Sequence, residues 1–167
     1  MVGEALQAKS EGNRVTQLVP GWACDLGLAC SNWLLVKVEH FALQVAEPVA
    51  MAEWYVKNLG CTVARAGGEP AHARFLMESG GSAMLEIYRN PKVSVPDYNG
   101  IDPLLMHLAF VSEDPAGDRD RLTKAGAKVV EDLTTTPAGD QLIMLRDPWG
   151  ISLQLVKRAV AMLKAAS

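Results

Sequence analysis

Two pairs of matching short segments decide how this chain is expected to fold. Residues 38–42 (VEHFA) match residues 106–109 (MHLA), so that His40 and His107 stand 67 positions apart. Residues 84–87 (MLEI) match residues 152–155 (SLQL), so that Glu86 and Gln154 stand 68 positions apart. Nearly equal offsets of this kind indicate an internal repeat, and the sequence therefore predicts two similar modules.

Each module is predicted to have the element order β-α-β-β-β. Apolar runs bounded by turn residues predict the strands, whereas Pro48 with Gly60 and Asp114 with Gly126 are typical of the ends of two helices. The strands are predicted over residues 36–45, 61–66, 73–78 and 83–88 in the first module, and over 104–111, 128–132, 141–146 and 151–156 in the second. Residues 134–139 are expected to form a loop and residues 147–150 a turn. The expected class is α+β, with eight strands and two helices.

The repeat also sets the expected domain organisation. The two modules, residues 36–90 and 104–158, form one domain of residues 36–158. Residues 1–35 show no lasting helical or strand period and are interpreted as an N-terminal extension. The last residues, 159–167, form a C-terminal tail.

Composition excludes several classes of partner. The 167 residues are 49% hydrophobic and carry 16 basic against 19 acidic side chains, a net charge of −3, which does not favour nucleic acid. No apolar run is long enough to span a bilayer, so no membrane partner is expected. Three cysteines without a CxxC pair favour a reducing compartment. Because the N-terminus also lacks the charged-then-apolar order of a signal peptide, we expect a cytoplasmic protein.

Four polar residues interrupt apolar strands at matched positions of the two modules: His40, Glu86, His107 and Gln154. A single histidine on an apolar strand is more often a hydrogen-bonded core residue than a metal ligand. Two histidines at equivalent positions, each accompanied by a carboxylate or an amide, favour metal ligation. Such a set of nitrogen and oxygen donors suits a divalent ion of Zn, Ni, Co, Fe or Mn. The types of ligand do not distinguish among these five metals.

The chain resembles the vicinal oxygen chelate superfamily over residues 36–158. The resemblance rests on the repeat, on these four positions and on the closing segment RDPWGISLQL (residues 146–155). That group includes glyoxalase I, methylmalonyl-CoA epimerase, extradiol dioxygenases and the fosfomycin- and bleomycin-resistance proteins. The resemblance implies paired βαβββ modules, with eight strands in a curled open sheet around a central cavity, and a homodimer. It also places His40, Glu86, His107 and Gln154 on the positions of the metal ligands.

The last ligand position departs from the pattern of the family. Its enzymes commonly have glutamate there, whereas Gln154 has no titratable proton and cannot act as a base. Glu86 is therefore the expected catalytic residue for proton transfer. Arg74 and Tyr88 are candidate residues for the substrate pocket, although a surface ion pair and a ring covering the sheet are equally good interpretations.

Three classes of function remain open from the sequence, the third being a structural or partner-binding module with a vestigial site. The first is a metal-dependent lyase or isomerase whose small substrate chelates the metal through adjacent oxygens. The second is a small-molecule binding protein of the bleomycin-resistance type, without catalysis. Retention of the metal-ligand positions favours the enzyme.

Overall fold

The computed structural model describes residues 37–162. The predicted N-terminal extension lies outside the described residues, as do the last five residues of the predicted tail. No helix within the described part is long and apolar enough to cross a membrane.

The first module has the predicted β-α-β-β-β order. Its elements are β1 (His40–Gln44), α1 (Pro48–Leu59), β2 (Thr62–Ala66), β3 (Arg74–Met77) and β4 (Met84–Tyr88). The strands form a sheet of order β1-β4-β3-β2, in which β1 and β4 are parallel and the other neighbours antiparallel. Helix α1 begins with Pro48 in its first turn and ends at Gly60, whose φ of 69° is the left-handed conformation expected of a glycine cap.

The second module repeats the architecture. Its elements are β5 (Leu108–Val111), α2 (Pro115–Lys124), β6 (Lys128–Thr135), β7 (Gln141–Arg146) and β8 (Ser152–Lys157). The sheet order, β5-β8-β7-β6, is the same as in the first module, again with one parallel pair. The prediction of an α+β fold of paired βαβββ modules is confirmed.

The eight strands form two open sheets of four strands each, and not one continuous sheet. Between residues 37 and 162, no strand of the first sheet pairs with a strand of the second. The modules are held together by packing and side-chain bonds instead. Trp54 on α1 donates to the carbonyl of Ala125 at 2.8 Å, and the buried Tyr55 hydroxyl donates to the Asp147 carboxylate at 2.9 Å.

A single apolar cluster runs through both modules. It includes Leu43, Leu85 and Ile87 from the first sheet. It also includes Ile143, Leu145 and Leu153 from the second sheet. Helix α1 contributes Met51, Ala52 and Tyr55, which places it at the centre of the core.

Three predicted strand boundaries are wrong by three or more residues. Strand β1 begins at His40, four residues after its predicted start at residue 36. Strand β5 begins at Leu108, because Asp102 and Pro103 start a turn in which the Asp102 carboxylate accepts from the amide of Leu104 at 2.8 Å. His107 consequently lies just before the strand and not within it. Strand β6 continues to Thr135, since Thr134 and Thr135 pair with Leu142 and Gln141 where a loop was expected.

Candidate functional site

Side-chain alternation divides the first sheet into two faces. Leu43, Leu85 and Ile87 point into the core beneath α1 and are buried. His40, Ala42 and Glu86 lie on the opposite surface, here called the open face. Because Ala42 pairs with Glu86 and His40 with Met84, the histidine and the carboxylate stand on neighbouring strands. His40 Nε2 and Glu86 Oε2 are 3.4 Å apart, with 35% and 22% of the side chains exposed.

The imidazole of His40 is oriented from its other nitrogen. Its Nδ1 contacts the carboxylate of Glu39, the preceding residue. An ionised carboxylate only accepts hydrogen bonds, so Nδ1 is the donor in this contact. The other ring nitrogen, Nε2, faces the Glu86 carboxylate. Metal-binding histidines are commonly oriented by such a second hydrogen bond.

The second module also holds its histidine from Nδ1. His107 Nδ1 lies 2.8 Å from the carbonyl oxygen of Pro103, and a carbonyl can only accept, so Nδ1 is again the donor. No hydrogen bond to His107 Nε2 occurs within residues 37–162. Gln154 on β8 pairs with Ala109 on β5. His107 therefore precedes Ala109, the pairing residue of Gln154, by two positions. His40 likewise precedes Ala42, the pairing residue of Glu86, by two positions.

We group these residues into two candidate half-sites: His40 with Glu86, whose side chains are in contact, and His107 with Gln154, which hold the matching positions in the second module. The described residues contain no group of three or more histidine, cysteine, aspartate or glutamate side chains placed to hold a metal ion. His107 thus does not join His40 and Glu86 in a three-ligand cluster within the chain. Each half-site offers one imidazole nitrogen and one oxygen donor, two of the four or more ligands that a divalent metal requires. The donors of the two half-sites taken together have the chemistry that a divalent metal requires.

The structure separates the two candidate pocket residues. Tyr88 lies on the open face of β4, opposite Gln44. Arg74 pairs with Ile87 and therefore lies on the helix side of the sheet. Its guanidinium donates to the carbonyls of Gly67, His72 and Ala73 at 2.8–3.0 Å, so Arg74 holds the loop between β2 and β3 and does not reach the half-site.

Two further side chains lie beside the first half-site, and no pattern in the sequence singles them out. Phe75 on β3 pairs with Glu86, and its ring meets the His40 ring edge-on, with centroids 5.6 Å apart. Arg65 on β2 pairs with Phe75, and its guanidinium carbon lies 5.9 Å from the centroid of that ring. Strand pairing brings these residues together, and the sequence of a single strand does not specify the register of the pair.

The turn after β7 contains a buried carboxylate for which the sequence pattern indicated only a turn. Asp147 accepts hydrogen bonds from the Tyr55 hydroxyl and from the amides of Trp149 and Ile151. Burial raises its pKa to about 6, although these hydrogen bonds act in the opposite direction. Its carboxylate oxygens accept bonds from the chain itself, so we assign Asp147 to the joining of the modules. Cys61 is also buried, and burial raises the pKa of its thiol to about 11, as expected for a small apolar side chain and not a nucleophile.

Several solved structures share this fold. A glyoxalase-related enzyme from Fulvimarina pelagi is 20% identical, with a TM-score of 0.62 over 79% of this chain and 95% of its own. TnmS3, an antibiotic binding protein from Streptomyces sp. CB03234, is 19% identical, with a TM-score of 0.60 over 77% of this chain and all of its own. The structure of SMU.1112c is 29% identical, with a TM-score of 0.59 over 74% of this chain and 99% of its own. No curated protein sequence matches the chain.

The family model gives the assignment directly. The model for the glyoxalase/bleomycin resistance protein/dioxygenase superfamily matches residues 37–155, from before β1 into β8. Both half-sites lie within this range, as do all strands and helices except the end of β8. The chain therefore belongs to the glyoxalase/bleomycin resistance protein/dioxygenase superfamily.

Proposed function

We propose that this protein is a metal-dependent enzyme of the lyase or isomerase type. Its small substrate would present adjacent oxygen atoms, and each site would combine the first half-site of one chain with the second half-site of another copy. The observation that carries the proposal is the matched geometry of the half-sites. Both imidazoles are held from Nδ1 by an acceptor, as metal-binding histidines commonly are, and His40 Nε2 is directed toward the Glu86 carboxylate.

Exposed apolar side chains beside both half-sites support assembly from two copies. Leu104 and Leu105, which precede His107, are 82% and 81% exposed. Val38, two residues before His40, is also largely exposed. Large apolar side chains grouped in this way favour burial against another surface. A two-fold dimer would use the same surface of both copies and would create two equivalent sites.

The four donors have different capacities in catalysis. A divalent cation held by them would supply Lewis-acid stabilisation of negative charge on a substrate oxygen. Glu86 is the only member that can accept and return a proton as a carboxylate, so we assign proton transfer to it. Gln154 can orient a ligand but cannot act as a base. Glu39 and the Pro103 carbonyl hold the two imidazoles from Nδ1.

The metal proposal is tested by metal content. The full chain, purified without chelator, is compared with His40→Ala and His107→Ala by inductively coupled plasma mass spectrometry. His72→Ala is the matched control, because His72 lies in the loop before β3 and its ring contacts the exposed Glu69 carboxylate, away from both half-sites. We expect one metal ion per chain in the wild type and in the His72→Ala control. We expect the metal to be lost from both His40→Ala and His107→Ala. Absence of metal from the wild type after reconstitution with Zn(II), Ni(II), Mn(II) and Fe(II) would exclude a metal-dependent enzyme.

Assembly from two copies is tested by mixing the two variants. A His40→Ala chain and a His107→Ala chain are co-expressed with different tags and purified through both tags. If a site uses half-sites of different chains, the mixed dimer contains one intact site out of two and should recover about half of the wild-type metal content. If all four ligands belonged to one chain, the mixed dimer would bind no metal.

A binding protein without catalysis is the second candidate. It is favoured by the incomplete ligand set within one chain, since the described residues do not gather three ionisable metal ligands. The fold is also that of TnmS3, which is an antibiotic binding protein. Such a protein would bind its ligand equally well as wild type and as the His40→Ala variant. An enzyme would instead lose turnover and metal together.

A further inference from the structure

A row of side chains crosses the open face of the first sheet, beginning at the first half-site. Glu86 on β4 pairs with Phe75 on β3, and Phe75 pairs with Arg65 on β2. Side chains in register on adjacent strands lie side by side, so these three form a line perpendicular to the strands. Two strand spacings, about 10 Å between backbones, separate Glu86 from Arg65.

A bulge in β2 directs Arg65 into this row. Val63 pairs with the buried Leu76 and therefore faces the core side, and strict alternation would place Arg65 on that side too. The register shifts between Val63 and Arg65, so that Arg65 pairs with Phe75 on the open face. Bulges are known to redirect side chains next to functional sites.

The charge of Arg65 has no partner among the described residues. The other two arginines located in strands, Arg74 and Arg146, donate to backbone carbonyls. No hydrogen bond or ion pair to Arg65 occurs within residues 37–162. Its guanidinium is instead positioned by the Phe75 ring, a cation–π contact that leaves the N–H donors unused.

We propose that Arg65 binds a second anionic group of the substrate, a carboxylate or a phosphate, beyond the oxygens that bind at His40 and Glu86. This inference rests on the proposed function and names the substrate class for the same site. The planar guanidinium recognises such oxyanions through paired hydrogen bonds. Phe75 lies between the two polar ends and provides an apolar floor for the carbon atoms that join them.

The test compares three α-hydroxy acids that share one chelating end. Lactate has only that end, 2-hydroxyglutarate adds a carboxylate, and 3-phosphoglycerate adds a phosphate. Dissociation constants are measured by isothermal titration calorimetry on the metal-loaded full chain. We expect at least one of the two longer acids to bind about tenfold or more tightly than lactate, the gain typical of a charge-assisted hydrogen bond. The acid that shows the gain distinguishes a carboxylate from a phosphate.

Variants assign the gain to Arg65. In Arg65→Gln the advantage of the longer acid over lactate should disappear, whereas lactate should bind as to the wild type. Arg65→Lys keeps the charge without the planar fork and should retain part of the gain. Arg89→Gln is the matched control, since Arg89 is exposed, follows β4 directly and has the alternation of Ile87, away from the open face. An unchanged advantage in Arg65→Gln, or equal binding of all three acids to the wild type, would overturn the proposal.

Failure of the metal site gives a different pattern. If metal-loaded wild type does not bind lactate, the proposed function fails, and Arg65 is then tested with inorganic phosphate on metal-free protein. Phosphate binding that weakens in Arg65→Gln but not in Arg89→Gln would preserve the anion site. Phosphate binding that is unaffected by Arg65→Gln would reject it.

Discussion

At the scale of single residues, the two histidines are oriented in the same way by different hydrogen-bond acceptors. His40 Nδ1 contacts the Glu39 side chain, and His107 Nδ1 contacts the Pro103 carbonyl. In both, an acceptor holds the ring from Nδ1 before any ligand arrives. Binding of a metal at Nε2 would then need no rotation of the ring.

Asp147 is the residue whose titration should be measurable in the stability of the whole protein. Its pKa in the folded state, about 6, lies above the ordinary value of 3.8, so the folded state holds the proton more tightly than the unfolded state. The stabilisation linked to this proton is complete below pH 3.8 and is lost as the pH rises through about 6. Asp147→Asn removes the titration, and asparagine can still accept from the two amides.

We expect the wild type to lose stability relative to Asp147→Asn between about pH 4 and pH 7, by on the order of 2–3 kcal/mol. Urea unfolding followed by circular dichroism across this range measures the difference. Asp97→Asn is the control, because Asp97 is exposed and also accepts from a backbone amide, that of Asn99. A difference between wild type and Asp147→Asn that stays constant with pH would contradict the prediction.

The polar residues were predictable from the sequence only where the repeat singles them out. His40 and Glu86 stand at positions that recur in the second module, and the structure does bring these two together. Arg65 was not predictable, since strict alternation assigns it to the same face as Val63 and only the bulge moves it to the other. The sequence pattern indicates a turn at Asp147 but does not reveal that its carboxylate is buried. That burial depends on Tyr55, 92 positions away along the chain.

At the scale of elements, compact turns were predicted well and strand ends less well. Helix α1, its glycine cap and β7 match the prediction because local signals specify them. The start of β5 depends on its pairing with β8, and the end of β6 on its pairing with β7, which the pattern within a single strand does not reveal. The bulge in β2 has a counterpart in β6, where the register shifts between Val129 and Glu131. The irregularity is thus a feature of the repeated module.

The turn between β7 and β8 should tolerate substitution poorly at Gly150. Its φ is 90°, and a Cβ atom there would lie 2.8–2.9 Å from the side chain and the amide nitrogen of Asn99. Gly150→Ala combines backbone strain with a clash against the segment between the modules, so we expect a loss of about 2–4 kcal/mol in the free energy of unfolding.

Gly81→Ala separates the two effects in the same urea titration. Gly81 has a φ of 69°, but a Cβ atom added there would meet nothing within 4 Å. This variant should lose only about 1 kcal/mol, the cost of the left-handed conformation alone. Equal losses in the two variants would mean that Asn99 moves aside without cost.

At the scale of the whole molecule, the division into two sheets follows from how the modules pack. The repeat predicted two equivalent modules but not whether their sheets would join. Trp54 and Tyr55 of α1 bond to residues of the second module, so the helix of one module completes the core of the other. These contacts join positions 71 and 92 apart in the sequence, and no short segment encodes them.

The continuous apolar cluster should make the two modules unfold as one unit. Separation of the modules would expose Tyr55 and the cluster around it, a cost that neither module recovers alone. Tyr55→Phe removes the hydrogen bond to Asp147 and should destabilise the protein by about 1–2 kcal/mol. Hydrogen exchange should then show the same decrease in protection for the slowest amides of β4 and of β8.

Tyr88→Phe is the control, since Tyr88 lies on the open face, and it should change the protection of neither strand. A decrease confined to β8 in Tyr55→Phe would show that the second module opens by itself.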